Sequence, residues 1–176
     1  MSQSAAASTG TTALPVAERR RLGAYYTTEP LARLLVEWAV TSPADTVMDA
    51  SYGGCAFLRQ ALDQLRRLGS GAGVRQVYGA DVDGTTAPWR AKLVSQGVPD
   101  QNLHQGDFLL TTPGRELPLC KAAVGNPPYV RHHRLTREQL RAYENLRVRT
   151  GVSARASAWA YFVIHNLNFL EPGGRL

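Results

Sequence analysis

Apolar and polar positions alternate along the chain in runs that predict short strands and longer helices. In "TTEPLARLLVEWAV", Leu31, Leu34, Leu35 and Trp38 recur at helical spacing behind a candidate cap at Thr28 and a first-turn Pro30. That pattern predicts a helix with this stripe turned inward. "DTVMDAS" predicts a short strand from about Thr46 to Asp49. After a glycine pair, "CAFLRQALDQLRRLG" predicts a helix with Phe57, Leu58, Ala61, Leu62 and Leu65 inward and Gly69 just past its end. A second strand, in "GVRQVYGAD", ends at Asp81, and a helix follows in "TTAPWRAKLVSQG" between Pro88 and Gly97. "NLHQGDF" and "KAAVGN" give a third and a fourth strand. From about Thr136 to Arg149 the chain reads as an arginine-rich helix, and "SARASAWAYFVIHNLNFL" as a long one ended by "EPGGRL".

Strands that alternate with helices imply an α/β fold, a doubly wound parallel sheet with helices on both faces. Asp49, Asp81, Asp107 and Asn126 fall at or just past the ends of the four strands. They therefore share the sheet edge where ligands bind in this class. Leu176 follows "PGGR" at the point where a fifth strand is due. The expectation is a sheet incomplete at its C-terminal side, the fifth strand onward missing and one edge exposed. Residues 1–20, small and polar, read as a disordered leader, and residues 21–176 as the N-terminal part of one domain.

Charge and cysteines narrow the partners. Lys plus Arg is 20 against 14 Asp plus Glu, a net charge of +6, and only Lys92 and Lys121 are lysines. Guanidinium forks match phosphate oxygens, the alternative being a merely solvated arginine surface. Cys55 and Cys120 are the only cysteines and lack metal-ligand spacing, which suits a reducing cytoplasm and excludes a disulfide-stapled secreted domain. There is no apolar run of about 18 residues, hence no membrane span. No metal is expected, because His132 and His133 have no companions at ligand spacing; His104 and His165 read as structural, and Trp38, Trp89 and Trp159 as core.

The strand ends carry candidate chemistry. "DASYGG" runs a strand through a glycine turn into a helix, where Asp49, Ser51, Gly53 and nearby amides approach a ligand. Asp81, in "GADVD", suits the two hydroxyls of a ribose, with Val82 beside it. Asp107 in "GDFLL" suits an adenine amino group; Phe108, which alone reads as core, then covers the purine in line with Asp49 and Asp81. In "CKAAVGNPPYVRHHR" two prolines end a strand, with an amide before them and an aromatic and positive charge behind.

Asn126-Pro127-Pro128-Tyr129 resembles the [DNS]-P-P-[FYW] motif of S-adenosylmethionine-dependent methyltransferases that modify an exocyclic amino group. Taken with "GAYYTTEPLARLL", "VMDASYGGCAFL", "GADVD", "GDFL" and "FLEPGGRL" in this order, the chain from about residue 22 on resembles the adenine-specific DNA methyltransferases with gamma-type motif order, of the restriction–modification kind. It departs from their pattern at Ala50, where they have proline, at Cys55, where they have a second glycine, and at Thr28. The resemblance implies a Rossmann-like methyltransferase domain, truncated before the target-recognition region, in the cytoplasm of a bacterial or phage-infected cell. It implies S-adenosyl-L-methionine as cofactor, held by Tyr26, Thr27, Asp49, Ser51, Gly53, Asp81, Val82, Asp107 and Phe108.

The implied reaction is methyl transfer to the N6 amino group of an adenine flipped out of DNA. Asn126 and the Pro127 carbonyl accept from the amino group, Pro128 fixes that carbonyl, and Tyr129 stacks on the base. Arg131 and Arg134 follow the loop and suit phosphate contacts. A second polypeptide is a candidate partner, to complete the sheet or recognise the target. A protein glutamine or RNA amino-methyltransferase, or a non-catalytic remnant of the same fold, remain the alternatives.

Overall fold

Thr28 is extended and Pro30 stands in the first turn, where no backbone donor is needed, so helix α1 (Glu29–Ala39) starts there. The structure, a computed structural model, describes residues 27–129, 137–153 and 155–176. The expected leader, Tyr26, Arg131 and Arg134 lie outside the described residues. The inward face of α1 differs from the expected one: Ala32, Val36 and Ala39 are buried, while Leu31, Leu34, Leu35 and Trp38 are 40–64% exposed. Small residues let α1 approach α2 (Ala56–Arg67) closely, a contact that bulky side chains would hold apart. On α2, Phe57, Leu58, Ala61, Leu62 and Leu65 are buried as the spacing predicts, and Gly69 follows its end at φ 85°.

The remaining elements are β1 (Val47–Asp49), β2 (Val77–Asp81), α3 (Ala87–Ser95), β3 (Leu103–Gln105), β4 (Cys120–Ala123), α4 (Arg137–Ala142), α5 (Glu144–Thr150), α6 (Ala158–Leu167) and β5 (Leu170–Arg175). All strand pairs are parallel, in the order β3-β2-β1-β4-β5. Successive residues of a strand point to opposite faces, and the two faces fill different cores. Val47, Val77 and Ala122 join α1, α2 and α3 on one side. Met48, Ala80, Cys120 and Ala123 meet Phe108, Tyr143, Leu146, Tyr161, Phe162 and Phe169 on the other.

Four further expectations are corrected here. The fifth strand is present: β5 pairs with β4, Cys120 opposite Leu170 and Ala122 opposite Arg175, across a register shift. Pro172 and Gly173, the latter at φ 72°, suggest a stop, but an edge strand tolerates a lost donor and an irregular step. Arg175 also donates to Thr41 Oγ1 at 2.8 Å, tying the strand to the loop after α1. The arginine-rich helix is two short helices interrupted at Tyr143, and the long helix before "EPGG" spans only Ala158–Leu167. Finally, Trp159 is 44% exposed and Trp38 lies on the open face of α1, so neither is a core residue; Trp89 packs partly buried against the core.

Among the described residues, no helix is long and apolar enough to cross a membrane. The inward face of α1 can be tested by substitution. Val36→Ala should cost about 1–3 kcal/mol in denaturant unfolding, through lost burial and a cavity, whereas Leu34→Ser should stay within about 0.5 kcal/mol, as an exposed site does.

Candidate functional site

Strand order reverses between β1 and β4: β2 and β3 lie to one side, β4 and β5 to the other. Such a switch point leaves a crevice beyond the strand ends, because the connections leave in opposite directions. The first acid of the crevice is Asp49, 1% exposed, whose Oδ1 accepts from the Ser51 amide at 2.9 Å. Gly125, after β4, passes so close that a Cβ there would come within 2.7 Å of that Oδ1. Only glycine fits between the two strand tips.

The turn after β1 is held from β2. Asp81 Oδ2 accepts from the Gly53 amide at 2.8 Å, while its Oδ1 accepts from the Asp83 amide at 2.8 Å. Gly53 sits at φ 43°, a backbone region that glycine enters without strain. Cys55, at φ 61°, enters the same region at a cost of about 1 kcal/mol. Its side chain is buried in the core and is absent from the cavity wall, so it does not crowd a ligand. Burial, with Asp49 and Asp81 adding to it, pushes the Cys55 thiol up to about 12, so it stays protonated.

The third tip is Asp107, which opens the turn Phe108–Leu110 and accepts from the Leu109 amide at 3.0 Å. Its other oxygen accepts from the Tyr143 hydroxyl at 2.5 Å. At the fourth tip, Asn126 donates its side-chain amide to Thr27 Oγ1 at 3.4 Å, and its backbone carbonyl lies 3.5 Å from the Ser51 hydroxyl. The segment before α1 and the loop after β4 thus meet above β1.

These groups enclose one cavity of about 320 Å³. Among the sequence-predicted residues Thr27, Asp49, Ser51, Gly53 and Asp81 line it, as do Val82, Asp107, Phe108, Asn126 and Pro128. Phe108 is itself 1% exposed and locked between Phe162, His165 and Phe169, so it forms a wall. Pro127 lines a second cavity of about 200 Å³ that shares Asp49 and Ser51 with the first. Tyr129 lines neither and is 52% exposed.

The reading by motif missed further wall residues. Tyr52, Arg59, Thr86, Trp89 and Phe162 also line the main cavity. Tyr52 lies inside the quoted turn, and a Cβ on Gly79 would meet its ring at 2.7 Å. The others come from helices whose approach only the assembled fold fixes.

Electrostatically the wall is acidic. Burial raises Asp49 to about 7, against the Ser51 amide that favours its charged form, and the nearby Asp81 pushes it the same way as burial. Burial also raises Asp81, more than the Asp83 and Gly53 amides lower it. Among the described residues, the one basic side chain of the wall, Arg59, is paired with Glu29. Such a cavity suits a ligand rich in hydrogen-bond donors and carrying positive charge.

Comparison with known proteins identifies the family and the fold. The family model described as N-6 DNA methylase matches residues 13–176. Among solved structures, a type I restriction-modification system methyltransferase subunit from Streptococcus thermophilus is similar at TM-score 0.63 and 22% identity, over 85% of this chain and 33% of that one. The M protein of the type I restriction enzyme EcoKI is similar at TM-score 0.60 and 18% identity, over 86% of this chain and 33% of that one. An S-adenosylmethionine-dependent methyltransferase described as putative, from Listeria monocytogenes, gives TM-score 0.55 and 20% identity, over 83% and 42%. The chain thus spans about a third of the length of the first two. Comparison with curated protein sequences gives no match.

Two measurements probe the crevice. Gly125→Ala should lower unfolding stability by about 1–3 kcal/mol, because the added methyl must displace a buried carboxylate. An unfolded Asp49 loses its proton near pH 4, whereas the folded one holds it to about 7. The folded chain therefore binds more protons between these values, and this residue's contribution weakens as pH rises from about 4 to 7. Unfolding of Asp49→Asn and of the parent, compared from pH 4 to pH 8, should diverge over that window, the variant becoming the more stable by a few kcal/mol, on the order of 2–4.

Proposed function

The chain belongs to the N-6 DNA methylase family, and we propose that it transfers a methyl group from S-adenosyl-L-methionine to the N6 amino group of adenine in DNA, within a restriction–modification or related modification system. One observation carries this reading: the acids at three strand tips and the Asn126 loop at the fourth open onto a single cavity. Family membership favours DNA over an RNA or glutamine substrate.

The residues present fit this cofactor. It is cationic at sulfur and at its amino group, and it brings two ribose hydroxyls and an adenine amino group, all donors. The acidic wall answers that chemistry: Asp49 faces the methionine side, Asp81 the ribose and Asp107 the adenine. When bound, the cofactor supplies the methyl group in activated form. The role of this chain is to position. Asn126, its amide nitrogen turned to Thr27, presents its side-chain oxygen to the target amino group, and the Pro127 carbonyl takes the second N–H. Accepting from both N–H groups concentrates electron density on a nitrogen whose lone pair otherwise spreads into the ring. Tyr129, half exposed, stacks on the flipped base, and Tyr26 serves the methionine end of the cofactor. Arg131 and Arg134, next along the chain, contact the DNA backbone. A further polypeptide or a longer chain supplies target recognition, and the complex works in the cytoplasm.

Two substitutions separate binding from chemistry. Asp81→Ala should weaken S-adenosylhomocysteine binding at least about tenfold by calorimetry, the loss expected for hydrogen bonds to a charged group. Asn126→Ala should leave that affinity within about twofold and abolish radiolabelled methyl transfer to DNA. Transfer to RNA or protein with none to DNA would overturn the proposal, as would full turnover by Asn126→Ala.

A further inference from the structure

We infer that Tyr143 is a positioning residue that orients Asp107, and that it thereby sets the selectivity of the cavity for an adenine over a 6-oxopurine. The inference rests on the cofactor reading above and adds a residue to it.

Tyr143 stands between α4 and α5, in the stretch that follows the catalytic loop, and it is 5% exposed. Its ring packs against Tyr161, centroids 6.0 Å apart, within the core that holds Phe108 and Phe162. Its hydroxyl donates to Asp107 Oδ2 at 2.5 Å. The opposite oxygen, Oδ1, accepts from the Leu109 amide at 3.0 Å. A carboxylate held on one oxygen can still swing about its Cβ–Cγ bond. Held on both, its plane is set, and the remaining lone pairs have a fixed direction. Because Asp107 lines the cavity, those lone pairs define where a donor is welcome and where an acceptor is repelled. The 6-amino group of adenine is a donor, and the 6-oxo group of hypoxanthine is an acceptor at the same position. A fixed carboxylate therefore separates the two bases sharply, and a swinging one less so.

The test uses calorimetry of the whole chain with two ligands, S-adenosylhomocysteine and S-inosylhomocysteine. Tyr143→Phe removes one oxygen and keeps the ring, so packing against Tyr161 is retained. We expect the parent to prefer the adenosyl ligand. Tyr143→Phe should lose about tenfold of that preference, through weaker adenosyl binding with inosyl affinity unchanged. Inosyl binding also reports that the variant is folded. An unchanged preference overturns the inference. So does an equal weakening of both ligands, which is what a purely structural hydroxyl would give. If the parent binds neither ligand, the cofactor reading itself fails and the inference falls with it; a parent that binds both, whatever the variant does, leaves that reading standing.

Discussion

Val47 and Met48 of β1 pair with Ala122 and Ala123 of β4, and this pairing sets how far the first acid of the cavity lies from the Asn126 side chain. The two strands then run on to Asp49 and to Gly125, whose missing side chain lets the tips close to contact distance. Everything else at the site is arranged around that contact. Asp81 reaches across from β2 to hold the turn after β1, and Thr27 reaches down to Asn126 from the segment before α1. A shift in the β1–β4 register by one residue would turn Met48 to the other core and carry Asp49 out of the crevice.

Burial of the acids at these tips is electrostatically costly. Asp49 and Asp81 are both buried and both hold their protons more tightly than in water. A cation placed among them relieves a cost that the fold otherwise bears, so affinity for a positively charged ligand and instability without one have a common origin. That is the usual relation between a binding site and the scaffold that carries it.

Much of this was legible in the sequence. The four strand tips stand out because an acid or an amide stands at or just past the end of each strand, and the crossover pattern then puts all four on one edge. The face of α1 was misread because Leu31, Leu34, Leu35 and Trp38 are bulky and correctly spaced, whereas the packing uses the small residues between them. Volume misleads where two helices come close. β5 was missed because Pro172 and two glycines look like a stop, and only its place at the edge makes them tolerable. Phe162, Arg59 and Thr86 carry no local signal at all. Their part in the cavity depends on which helix returns to which strand end, and periodicity does not encode that.

The central position of β1 also has a kinetic side. Its partner β4 lies far along the chain, as the contact of Ser51 with Asn126 across 75 residues and of Asn126 with Thr27 across 99 makes plain. During synthesis α1, β1, α2 and β2 emerge before β4, with one unpaired strand edge of β1 waiting for a neighbour that has not been made. Closing so long a loop is slow, and the nascent chain passes through an interval in which that edge is open to wrong pairings. The pace of synthesis therefore bears on the yield of this crevice, alongside the residues within it.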